Sequence, residues 1–123
     1  VFTGSASEAV LIRDVMDDIT QAGGRCMSFI GYSLPELAAL LAQAKLVIAG
    51  STGPGHLAAT LGTQTIGLFP LPPALSRDRW GFRGQMAVNL APQRSANCPH
   101  CASCDCMTRI SVEEVVTQAM RFV

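Results

Sequence analysis

Apolar residues along the chain fall into two alternating patterns: short unbroken runs and longer stretches with a three- to four-residue step. Val1 and Phe2 are followed by Thr3-Gly4-Ser5, which reads as a strand end and turn. From Ser7 to about Ala22, Leu11, Ile12, Val15, Met16, Ile19 and Ala22 share one helical face, with Arg13, Asp14, Asp17 and Asp18 opposite. Gly23-Gly24 supplies a left-handed helix end, and Cys26 to Ile30 a short strand. Ser33-Leu-Pro-Glu36 is a capping box with proline in the first turn, ahead of a stripe of Leu37, Leu40, Leu41 and Ala44. Leu46 to Ala49 is a buried strand that runs into a Gly/Ser/Thr turn and a small-residue helix from Pro54 to Leu61, closed by Gly62. Gln64 to Phe69 forms another strand, Pro70 to Gln85 a Pro- and Arg-rich loop, and Met86 to Leu90 the last strand. Ala91 to Thr108 is irregular, and a second capping box, Ser111 to Glu114, opens a terminal helix with Val112, Val115, Val116 and Ala119 on one face.

Strands alternating with helices at this spacing predict an α/β domain with a Rossmann-like parallel sheet, helices on both faces and right-handed crossovers. Ligands of such sheets bind at the carboxyl ends of the strands, so the loops at Gly4, Tyr32, Ser51 and Pro70 share the ligand edge. The most informative of them is Ala49 to Gly62. A strand that turns through glycines and hydroxyls into a helix leaves backbone N–H groups converging on one spot, where the helix dipole adds positive potential. This suits an anion, most often a phosphate. The spacing fits neither a dinucleotide fingerprint nor a P-loop, since no lysine follows the glycines. A tight packing turn is the plainer reading of Gly53-Pro54-Gly55. Ser51, Thr52 and His56 around it favour a functional one, with two hydroxyls for a diphosphate and an imidazole one turn into the helix.

Composition adds limits. The 123 residues are one domain's worth, 49% apolar, with a formal net charge of zero. A chain of that length buries about two thirds of its unfolded surface. No basic stripe marks a nucleic-acid partner, and no apolar run approaches the ~20 residues of a bilayer span. The start, Val1-Phe2, reads as mid-strand without a leader, which predicts a fragment lacking an N-terminal half. Four of the five cysteines crowd between Cys98 and Cys106, a poor disulfide framework that fits a reducing cytosol.

Gly50-Ser-Thr-Gly-Pro-Gly-His-Leu-Ala-Ala-Thr-Leu-Gly62, followed by Thr65-Ile-Gly-Leu-Phe69, resembles the signature of the heptosyltransferases, glycosyltransferase family 9. Its usual form is Asp-Ser/Thr-Gly-Pro-x-His-Leu-Ala-Ala-x-Leu-Gly. The segment from Tyr32-Ser33, the opening Val1 to Ser5 with Glu8, and the run from Cys106 to Val115 are similar to the family as well. The resemblance implies the C-terminal, donor-binding half of a two-domain GT-B enzyme, with residues 1–123 forming one nucleotide-sugar-binding domain. Such enzymes transfer a heptose from an ADP-linked donor to the lipopolysaccharide inner core, at the cytoplasmic face of the inner membrane, without metal or other cofactor. It further implies that Thr52, Gly53 and the amides through Pro54 and Gly55 to His56 hold the donor diphosphate, beside Ser51. Gly4 and Ser5 would line the phosphate side, and the turn at Tyr32 would border base and ribose. The family's general base is a carboxylate of the N-terminal half, so no catalytic residue is expected here. The chain alone would bind donor without turning it over.

Two departures stand out: Ser51 replaces the family's Asp, and Phe69-Pro70-Leu71 replaces its Phe-Gly-Pro-Thr. Gly55 occupies a variable position and reads as harmless. Arg77, Arg79 and Arg83 around Trp80 read first as a solvated loop with one anchoring aromatic, and second as a source of an arginine for the donor phosphate or an anionic lipid acceptor. Cys98, His100, Cys101, Cys104 and Cys106 suggest zinc or an iron–sulfur cluster, but Asp105-Cys106 breaks the ferredoxin spacing. Reduced thiols or a local disulfide in a surface loop is the plainer reading. The rival functions are therefore a transferase or epimerase acting on another nucleotide sugar, and a non-catalytic metal-binding module.

Overall fold

The computed structural model describes residues 1–93 and 106–122. They divide into two compact units, Val1–Glu36 and Leu37–Val123.

In the first unit, strand β1 (Phe2–Gly4) pairs in parallel with β2 (Ser28–Ile30), Gly4 lying opposite Ile30. Between them runs helix α1 (Ala9–Gln21), entered through a 3-10 turn at Ala6–Glu8. The expected helix from Ser7 thus starts as a tighter coil. Glu8 folds back on Ser5, its carboxylate accepting both the Ser5 N–H (2.8 Å) and the Ser5 hydroxyl (2.6 Å). At the far end, Gly23 takes φ +83°. Its N–H donates to Thr20 O and that of Gly24 to Ile19 O, the paired bonds of a Schellman cap. The strand predicted from Cys26 starts two residues later because the Cys26 thiol turns back to Met16 O at 3.5 Å.

In the second unit, β3 (Val47–Gly50), β4 (Thr65–Leu68) and β5 (Ala87–Leu90) form a parallel sheet in the order β3-β4-β5. Helix α2 (Leu34–Gln43) precedes β3, α3 (Gly53–Thr60) connects β3 to β4, and α5 (Val112–Ala119) follows near the chain end. Gly62, at φ +81°, closes α3 as Gly23 closes α1, with Gly62 N–H on Ala59 O and Thr63 N–H on Ala58 O. Thr63 and Thr65 are buried but satisfied: Thr63 Oγ1 donates to Leu41 O and Thr65 Oγ1 to Thr63 O. The core joins Ala59, Phe69 and Phe82, with Ala49 and Ala87 packed against it.

The fold is therefore α/β, with parallel strands flanked by helices as expected, and among the described residues the strands pair as β1-β2 and β3-β4-β5. Alternation of strands and helices fixes strand direction; it does not specify which strands are neighbours. The Pro70–Gln85 segment, expected to be loop, contains a 3-10 turn (Pro73–Leu75) and a one-turn helix α4 (Arg77–Trp80). Ser76 makes this possible: its extended backbone ends the first turn, and its carbonyl accepts the N–H groups of Arg79 and Trp80. Among the described residues, no helix is long and apolar enough to cross a membrane.

Both β-to-α turns of the first unit carry the same Ser-x-x-Glu device. Ser33 donates its N–H (2.8 Å) and hydroxyl (2.6 Å) to Glu36, as Ser5 does to Glu8. The serine hydroxyl and then the serine N–H hold both carboxyls below the ordinary glutamate range. A depressed folded-state pKa contributes stability that is present above the unfolded value and lost as pH falls through the folded one. Carboxyl 13C titration should therefore give Glu8 and Glu36 midpoints below the ordinary glutamate range. Ser33→Ala should move Glu36 upward and leave Glu8 unchanged.

Candidate functional site

At the carboxyl end of β3 the backbone turns at once. Thr52 N–H donates to Gly50 O at 2.7 Å, and Thr52, extended at φ −134° and ψ 159°, is the N-cap of α3. His56 N–H is the first amide bonded back into the helix, to Thr52 O at 3.3 Å. Ahead of it, Gly53 and Gly55 present N–H groups that a helix start leaves without an intrahelical acceptor, and Pro54 has none to offer. Ser51, Thr52 and Gly53 are exposed, and Thr52 does not use its hydroxyl as a cap. The corner is open at Ser51, Thr52 and Gly53, while Gly55 is buried.

Its electrostatics differ from those of the turns that open α1 and α2. At Ser5 and Ser33 a glutamate already sits on the free N–H, so those turns are internally neutralised. The first turn of α3 contains no acidic residue. The partial positive charge of that helix end is therefore met by no carboxylate of its own.

His56 is half-buried, on the fourth residue of α3, and its imidazole is set among aromatics. It meets Phe82 edge-to-face at 4.8 Å between ring centroids, with an interplanar angle of 82°. Trp80 lies at 6.5 Å and 75°. Phe82 itself is 3% exposed and packs at 5.1 Å against Phe69. Asn89 of β5 holds the Phe82 backbone at two points, accepting its N–H (2.9 Å) and donating to its carbonyl (3.0 Å).

Phe82, and not Trp80, is thus the aromatic that anchors the 70–85 segment. Neither Phe82 nor Asn89 stood out in the sequence; the available signal was an apolar ring set between Gly81 and Gly84 in an otherwise polar loop. Gly55 also needs correction. It is buried, and a Cβ added there would lie 2.1 Å from Phe82 Cζ, so this position is a packing requirement.

The remaining site candidates lie in the first unit. Gly4 ends β1 and Ser5 follows it, with both Ser5 donors committed to Glu8. Tyr32 is exposed and stacked on Phe29 at 3.7 Å, just past Gly31 at φ +79°. Since β1 and β2 run parallel, Gly4 and Tyr32 stand at the same sheet edge. Arg77, Arg79 and Arg83 are all exposed. Arg77 borders an open cleft of about 470 Å³ together with Asp78 and Glu114, so its charge has acidic company there. Cys106 is buried and accepts the Leu71 N–H on sulfur at 3.4 Å, a core position rather than a surface thiol. Cys98, Cys101 and Cys104 lie outside the described residues.

A family model described as glycosyltransferase family 9 (heptosyltransferase) matches residues 2–98. The chain belongs to glycosyltransferase family 9. That match takes in β1 through β5 and the whole Gly50–Gly62 turn and helix. No curated protein and no solved structure matches the chain. For this family member, replacing Gly55 by Ala should lower stability by about 1–3 kcal/mol through overpacking against Phe82. In an unobstructed helix interior the same change gains ~1 kcal/mol. Urea denaturation of Gly55→Ala, alone and combined with Phe82→Leu, reads the sign, and the double variant should recover part of the loss.

Proposed function

We propose that this chain is the donor-binding half of a heptosyltransferase, holding an ADP-heptose-like nucleotide sugar at the Ser51–His56 turn. The observation that carries the reading is the helix start at Thr52: two free amides and two hydroxyls, with no acidic residue of its own. A diphosphate placed there accepts from Gly53 and Gly55 N–H groups and from Ser51 and Thr52, while the helix dipole favours its negative charge. In the transfer reaction an acceptor hydroxyl attacks the anomeric carbon and the sugar's bond to the diphosphate breaks. Charge then grows on the leaving group, and donors fixed in advance stabilise it most at that moment.

The base that removes the acceptor proton belongs, in this reading, to a separate N-terminal half. The acceptor is the lipopolysaccharide inner core, met at the cytoplasmic face of the inner membrane.

An amide-resolved NMR titration tests the donor site. ADP should shift Thr52, Gly53, Gly55 and His56 resonances, and UDP should shift them less. Thr52→Ala should weaken ADP binding by roughly three- to tenfold, the scale of one lost hydrogen bond to a charged group. If saturating ADP leaves all four peaks in place, the donor assignment is wrong.

A further inference from the structure

We propose that Trp80 is the platform on which the donor's sugar ring rests. The inference builds on the donor site at Ser51–His56 and adds to it a residue that sets how the sugar is held.

Trp80 is rigid without being buried. Its main-chain N–H donates to Ser76 O at 2.9 Å, and its indole Nε1–H donates to Ala74 O at 2.9 Å. The residue is nevertheless 45% exposed. With the indole N–H already satisfied inside its own segment, what Trp80 offers a ligand is its π face. A structural anchor would be expected to bury that face, and the core position in this segment is taken by Phe82 instead.

Its location fits a sugar. His56 is the fourth residue of α3, and side chains on a helix tilt toward the N-terminus, so the imidazole leans toward the Gly53 and Gly55 amides. Trp80 stands 6.5 Å from that imidazole, edge-on at 75°. A sugar linked to a diphosphate at the turn begins one bond beyond the terminal phosphate. A ring next to His56 is therefore within reach of a sugar carried by that diphosphate. The C–H faces of a pyranose are apolar and weakly positive, which matches the negative face of an aromatic ring. Arg79, whose guanidinium carbon lies over the Trp80 ring 5.8 Å from its centroid, already holds a cation against one face, which leaves the other face for the sugar.

The chain has one tryptophan, so its fluorescence reports this position alone. ADP-heptose should quench or blue-shift the emission well beyond the effect of ADP at matched occupancy. Trp80→Ala should weaken ADP-heptose about five- to tenfold while leaving ADP within twofold, and Trp80→Phe should restore most of the difference. The proposal is overturned if ADP shifts the Thr52 and His56 amides but ADP-heptose changes the emission no more than ADP does. It is equally overturned if Trp80→Ala and Trp80→Phe weaken ADP and ADP-heptose by the same factor, since that makes Trp80 a support for His56. In both cases the donor site survives. Absence of amide shifts with either ligand removes the donor site and the platform together.

Discussion

The second unit turns on how one phenylalanine meets two glycines. The ring of Phe82 occupies the space that side chains at Gly55 and Gly67 would fill: added Cβ atoms would lie 2.1 Å and 2.8 Å from it. Helix α3 and strand β4 are thereby brought against the same ring. Asn89 makes the arrangement permanent, because a side-chain amide that both accepts from and donates to the Phe82 backbone stands in for a piece of β ladder. Burying such a side chain contributes roughly 1.5–3 kcal/mol. Its larger consequence is positional. With Phe82 fixed, the first turn of α3 is fixed, and with it the direction of His56 and of the free amides. The 70–85 segment has few regular elements, yet it is built into the core at this one point, and Trp80 is carried to the rim beside it.

The parts of this architecture legible in the sequence are those set by local rules. The stripe of Ile12, Val15 and Ile19, the paired glycines after α1, the Ser33–Glu36 box and the Leu46–Ala49 run each specify a local conformation, and each element forms within two or three residues of its expected position. The open turn at Ser51–His56 was equally legible, since a strand, glycines, hydroxyls and a proline in one order leave few geometries available. What escaped was non-local. Which strands pair cannot be told by alternation, because neighbour choice depends on contacts far apart in sequence. Gly55 looked interchangeable because the ring that excludes a side chain there comes from 27 residues later, as the numbers of Gly55 and Phe82 give. Likewise, Trp80 looked like the anchor because it is the larger aromatic, whereas close packing selected the ring that fits between glycines. Cys106 was assigned to a surface cluster by its neighbours in sequence, and its burial is decided by Leu71, 35 residues away.

The turns that follow β1, β2 and β3 divide by charge. Two of them, at Ser5 and Ser33, take a glutamate from their own first turn as the anion that a helix start prefers, and so need nothing from solution. The third, at Thr52, has no such residue, and its helix is opened by glycine and proline, which carry no charge at all. Ser51 sharpens the contrast. Where the family places an aspartate, this chain has a neutral hydroxyl. A carboxylate ~4 Å from a phosphate oxygen would oppose it by about 1 kcal/mol in a water-like setting and ~4 kcal/mol at an effective dielectric of 20. At an exposed corner the smaller figure applies, so in the proposed donor site serine would ease the seating of a diphosphate by a modest amount and add a donor to it. The same change removes an acceptor that could take a hydroxyl proton from the sugar. In the proposed donor site, orientation of the sugar would then rest on groups other than a carboxylate at this position, and the partly exposed Trp80, held beside His56 by its own two hydrogen bonds, is the residue proposed to supply it.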